Sequence, residues 1–198
     1  MELNLILAPG DPQDYADRID EALVGVMVAD GPNLAPLGRR QVDGALTETI
    51  WNDEEDGHAN VRFMNDSEIP AQWVALEADD SALLQTLVQA VRDLLPVQDW
   101  ETLRDAASSQ APGALSRLAL THDARLADEL TPLVRKALAS ASAGQREEAA
   151  MAALLAAVPG TLGALRGALE REPDSGVKLM LEHAIATVEA AASKQAPT

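Results

Sequence analysis

The C-terminal half of this chain repeats itself every 31 residues. Leu103-Arg104, Val134-Arg135 and Leu165-Arg166 each open the pattern [LV]-R-x-A-[AL]. It is completed by Ala106-Ala107, Ala137-Leu138 and Ala168-Leu169, and a glycine follows at Gly113, Gly144 and Gly176. A period of about 20 to 50 residues marks units too small to bury their own apolar face, which must stack on one another. The spacing is that of helix pairs broken near the glycine. Such a repeat announces an architecture and no reaction.

Laid out as pairs, the first helices begin near Asp99-Trp100, Thr131-Pro132 and Thr161-Leu162. Asp99, Thr131 and Gly160 or Thr161 serve as caps, with Pro132 at the first helical position. The partners begin near Pro112-Gly113, Gly144 and Ser175-Gly176. Their apolar stripes are Leu115, Leu118, Ala119, Leu126 and Leu130; then Met151, Leu154, Leu155 and Val158; then Val177, Leu181, Ala184, Ile185 and Val188. The periodicity predicts helices at 81–95, 100–109, 113–129, 132–141, 145–157, 162–171 and 176–191, with residues 193–198 as a disordered tail.

The first 80 residues have a different texture. Residues 3–8 read as a strand ended by Pro9-Gly10, and Asp11-Pro12 caps a helix carrying Tyr15, Ile19, Ala22 and Leu23 on one face. Val24–Ala29 either continues that helix or forms a strand, and the Gly- and Pro-rich stretch 30–40 reads as a loop. Strands at 45–51, 61–64 and 73–78 then suggest an antiparallel meander. Asp79-Asp80-Ser81 caps a helix over 81–95, ended by Pro96 and in phase with the later repeats. The expected organisation is a small acidic α+β domain at 1–80 and a helical repeat domain at 81–192. In it, 81–95 is the capping helix, as the exposed end of a stack requires.

Charge divides along the same line. Residues 1–96 hold 19 Asp and Glu against five Arg and no Lys, a balance of −14, whereas residues 97–198 carry −3. An acidic field repels nucleic acid and anionic lipid and favours a basic protein partner. The same acidity also has a plainer reading as a solubility trait. No cysteine is present, which removes disulfides and thiolate chemistry. Without a basic leader or a long apolar run, a soluble cytoplasmic protein is expected.

The segment Gly160–Ala192, and especially Asp174-Ser175-Gly176-Val177-Lys178, resembles the turn and second helix of HEAT-like repeats. The resemblance extends over residues 97–192 and fades toward the front, where Ala111-Pro112-Gly113 replaces the turn aspartate. The short period is similar to that of the phycobilin-lyase-like branch. It implies an all-α HEAT-like solenoid of about three helix pairs, which follows the α+β domain expected from the residues before it. Residues 1–80 resemble no family.

Candidate chemistry is sparse. The run Asp53, Glu54, Glu55, Asp56 next to His58 departs from the alternating oxygens of a calcium loop, so it stands as a partner-contact candidate on a hairpin turn. His122 lies on an apolar stripe and reads as a buried, hydrogen-bonded side chain, and His183 sits just off its stripe. No histidine pair, phosphate loop or nucleophile elbow occurs, so no catalytic residue, cofactor or metal is assigned. Arg104, Arg135 and Arg166 recur in register, either as a basic ladder on one face or as bridges between layers.

Two functions of different class follow. One is a protein-interaction scaffold whose acidic domain engages a basic partner, in its sharpest form an immunity- or antitoxin-type inhibitor. The other, implied by the lyase-like branch, is a lyase-like or chaperone-like enzyme acting on a small molecule held by the repeats. Nucleic acid and membrane are not expected partners, and the residues leave the oligomeric state open.

Overall fold

The computed structural model describes residues 1–29, 31–53, 57–123 and 125–195. They form two compact units, Met1–Asp99 and Trp100–Thr198. The expected boundary at residue 80 thus falls about one helix later, because the helix over 81–94 belongs with the sheet.

The first unit is a five-stranded antiparallel sheet of order β1-β5-β4-β3-β2, formed by Glu2–Ile6 (β1), Leu34–Gln41 (β2), Leu46–Asp53 (β3), Ala59–Asp66 (β4) and Ala71–Ala78 (β5). Two helices, Pro12–Val28 (α1) and Ser81–Leu94 (α2), pack against each other, and their buried stripes join the apolar side chains of one sheet face. Alternation along the strands selects that face. Leu5 stands opposite Val74, Val61 opposite Leu76, and Trp51 opposite Val61, all nearly solvent-free.

Both helices start where the sequence puts them. The Asp11 carboxylate accepts from the Gln13 N–H at 2.8 Å, with Pro12 at the first position, and Asp80 accepts from the N–H groups of Ala82 and Leu83. The stretch Val24–Val28 continues α1. The turn before it needs Gly10, since a Cβ there would lie 2.3 Å from the Tyr15 ring, whose hydroxyl donates to the Ala8 carbonyl.

The stretch 30–40, expected to be a loop, contains strand β2. It is an edge strand with a register shift between Pro36 and Gly38, and Gly38 takes φ +116°, a conformation glycine tolerates and other residues resist. At the opposite edge, β1 is partly covered by the segment after α2. The Ala8 N–H donates to the Pro96 carbonyl and the Gln98 N–H to the Ile6 carbonyl.

The second unit is all helical: Trp100–Ser108 (α3), Ala114–Ala119 (α4), Leu126–Leu138 (α5), Ala143–Ala156 (α6), Leu162–Leu169 (α7) and Ser175–Gln195 (α8). Helix α3 packs on α4, α5 on α6 and α7 on α8, while α4 packs on α6 and α6 on α8. All named strands lie within the first 80 residues. The Asp174 carboxylate accepts from the N–H groups of Gly176 and Val177, fixing the start of α8. Helix α8 carries on through Ser193–Gln195, so the expected tail is helical at its start, and 196–198 lie outside the described residues.

Two helix boundaries differ from expectation. Helix α4 ends at Ala119, and His122, at φ +52°, is exposed in the following turn rather than buried. Helix α5 then begins at Leu126, which places Pro132 inside it instead of at its start. An interior proline costs about 3 kcal/mol. Leu126 and Leu130 are both buried at 5% exposure or less, and each contributes about 1.5 to 3 kcal/mol. Extending the helix through the proline is therefore favourable. Arg125 secures the entry, lying 4.5 Å over the Trp100 ring and binding Asp123 and Glu101.

Helix α6 departs from its expected stripe as well. Ala149, Ala150, Ala152 and Ala153 are fully buried, whereas Met151, Leu154 and Leu155 are partly exposed. A helix flanked by α4, α5 and α8 is approached closely on several sides, and only small residues fit there.

Candidate functional site

The acidic run does not open on an exposed side chain. Asp53 ends β3 at 6% exposure, and its carboxylate accepts from the His58 N–H at 3.3 Å, so it shapes the hairpin instead of projecting from it. Glu54, Glu55 and Asp56 lie outside the described residues. His58 is exposed, with Nδ1 2.7 Å from the Asp79 carboxylate, and the Asp79 N–H donates back to the His58 carbonyl. This pairing ties the hairpin to the entry of α2. Among the described residues no three His, Asp or Glu side chains cluster as a metal site.

Exposed acidity is arranged most regularly on α1. Asp14, Asp17 and Glu21 are exposed at spacings of three and four residues, which places them on one face, and Val24 and Val28 extend the same stripe. Val24 is 50% and Val28 76% exposed, with Met27 beside them at 42%. The helix thus presents an anionic stretch followed by an apolar one. Asp14 pairs with Arg18 at 3.1 Å and Asp17 accepts from Gln13. Asp20 has a structural duty, accepting from the Trp51 indole N–H at 3.1 Å. The stripe is visible as exposed positions left over once the buried face is assigned, but sequence reasoning passed over it in favour of the denser run at 53–56.

A second feature escaped the sequence reading altogether. Glu48 on β3 is 2% exposed on the sheet face away from α1 and α2. Its carboxylate lies 2.6 Å from Arg40 Nε on β2 and 3.8 Å from Arg62 Nη1 on β4. Arg62 reaches on to Glu2 at 3.3 Å, across β5, where the small Ala75 stands opposite it. Charges therefore alternate across the sheet, and Glu48 has both an exposed and a half-buried cation to compensate its burial.

The three repeated arginines occupy matching places on α3, α5 and α7 but make different contacts. Arg104 binds its neighbour Asp105 at 2.9 Å, Arg166 bridges to Glu189 on α8 at 2.6 Å, and Arg135 is exposed with no ion pair among the described residues. Sequence register does not give them one ligand geometry. The most buried ion pair among the described residues of this unit is instead Arg146 with Glu172, bidentate at 2.7 Å on both arms, with Glu172 4% exposed. Arg146 also donates to the carbonyls of Ser140 and Ala141, joining the turn before α6 to the turn before α8. The guanidinium bonds hold the Glu172 carboxyl below its ordinary range, against the opposing effect of burial.

The described residues thus define a five-stranded antiparallel sheet with helices, followed by a packed all-helical unit. Comparison with family models, with curated proteins and with solved structures returns no match. No helix among the described residues is long and apolar enough to cross a membrane.

Proposed function

We propose that this chain is a protein-interaction scaffold whose acidic first unit engages a basic protein partner, in the manner of an immunity- or antitoxin-type inhibitor. The observation that carries this reading is the exposed stripe of α1, where Asp14, Asp17 and Glu21 run into Val24 and Val28. Acids at a rim steer a cationic partner, and adjacent apolar side chains supply contact once it arrives. In the second unit, the successive packing of α4 on α6 and α6 on α8 supports stacked HEAT-like pairs as the rigid part of the scaffold.

The test begins with a pull-down that identifies the partner by mass, followed by association kinetics over a salt series. Two variants are compared with the wild type: Asp14→Asn/Asp17→Asn/Glu21→Gln on the helix and Glu54→Gln/Glu55→Gln/Asp56→Asn on the hairpin. Steering by α1 predicts that the helix variant loses most of the salt dependence of the on-rate while the fold is kept. Identical rates for wild type and both variants at every salt concentration would overturn the proposal.

A further inference from the structure

The first turns of α1 do not close completely on the sheet. A cavity of about 120 Å³ remains, with Pro12, Gln13 and Ala16 on the helix side and Arg39, Thr47, Thr49 and Phe63 on the strand side. The strand wall is a cross-strand row. Arg39 on β2 stands opposite Thr49 on β3, and Thr49 opposite Phe63 on β4. The bulge between Pro36 and Gly38 sets the alternation beyond it. Arg40 turns to Glu48 on the far face, and Arg39 lines the cavity.

Arg39 makes no ion pair among the described residues, although the chain has 32 acids for 15 bases. Two acids of the first turns of α1 are engaged elsewhere, Asp14 by Arg18 and Asp17 by Gln13. Thr47 donates its hydroxyl to the Asn65 carbonyl at 3.3 Å, whereas the Thr49 hydroxyl has no partner among the described residues. One cation and one free hydroxyl donor thus share a space whose other walls are Pro12, Ala16 and the Phe63 ring, with Gln13 and Thr47, each hydrogen-bonded elsewhere, completing the lining.

We propose that this cavity binds a short-chain carboxylate. Arg39 and Thr49 hold the carboxylate group, and the alkyl end rests on Phe63 and Ala16. Planar guanidinium matches carboxylate geometry, and the hydroxyl adds a donor. The volume suits a short tail: a closed cavity of about 150 Å³ accommodates the six carbons of benzene, so about 120 Å³ matches about five heavy atoms, the size of propionate. Inorganic phosphate has a similar size, but its second charge meets only one cation, partly apolar walls and a surrounding acidic field.

The experiment is a titration of the ¹⁵N-labelled full chain with propionate, followed by amide shifts, with inorganic phosphate and propylammonium as size-matched comparisons. Binding predicts saturable shifts centred on Gln13, Arg39, Thr47 and Thr49 for propionate, with weaker or absent effects from the other two. Arg39→Gln should weaken propionate binding at least about tenfold while leaving the amide spectrum of the unit otherwise unchanged. Thr49→Val should weaken it as well. Non-saturating shifts, equal affinity in Arg39→Gln, or phosphate binding as tightly as propionate would each overturn the assignment.

Discussion

Leu181 and Leu155 are equivalent in a hydropathy pattern and different in the structure. Leu181 on α8 has no exposed surface, while Leu155 on α6 is partly exposed. Truncating either to alanine removes three carbons, and leucine and alanine have similar helix propensities, so the backbone contributes little to the difference. For Leu181 the lost transfer energy is about 2.4 kcal/mol at about 0.8 kcal/mol per carbon, and the closed void left behind raises the cost to about 3 to 4 kcal/mol. For Leu155 the gap opens to solvent and the cost stays at about 1 to 2 kcal/mol. Urea unfolding followed by far-UV circular dichroism separates the two. With a slope of about 1 to 3 kcal/mol per molar urea, Leu181→Ala lowers the midpoint by about 1 to 4 M and Leu155→Ala by about a quarter to two thirds as much. Equal shifts, or a larger one for Leu155→Ala, would refute the assignment of the inward faces of α6 and α8.

Ala157, just past α6, sits at φ +49° with its N–H bonded to the Ala153 carbonyl. Because a left-handed conformation strains any residue with a Cβ, Ala157→Gly should stabilise the protein by about 1 kcal/mol, and a lower thermal midpoint would contradict this. Glu172 has its folded pKa depressed chiefly by the Arg146 hydrogen bonds. The stability it contributes is therefore complete above the ordinary glutamate range and is lost as pH falls through the depressed value. Glu172→Gln should lower stability at neutral pH and flatten the acid limb of a stability–pH curve; an unchanged limb would show that the pair is not coupled to folding.

Local chemistry carried the parts of the fold that the sequence made readable. Asp11-Pro12 and Asp80 mark helix starts because capping is settled within three residues, and the alternation around Trp51, Val61 and Val74 selects a sheet face by itself. Strand β2 was hidden because Pro36 and Gly38 are turn residues by propensity, and pairing with β3 overrides them. Pro132 misplaced the start of α5 because the gain from burying Leu126 and Leu130 is tertiary. The leucines of α6 were taken for its inner face because hydropathy ranks leucine above alanine, whereas crowding from three neighbouring helices ranks them by size. Site reading failed in the same way. Counting acids drew attention to Asp53, which is buried, while Glu48 and Arg39 acquire their surroundings only from neighbouring strands and from α1.

The irregular edge of β2 also bears on how this chain behaves in a crowded solution. An incoming strand needs an unbroken row of backbone donors and acceptors. At the β2 edge that row is interrupted by Pro36, which has no N–H, and by the bulge before Gly38, after which come two arginines. At the β1 edge the bonds from Ala8 and to Ile6 are already taken. Neither side of the sheet offers a clean template for cross-β growth. Straightening β2, by removing the proline and the bulge together, would expose a fibril-seeding edge without disturbing the core.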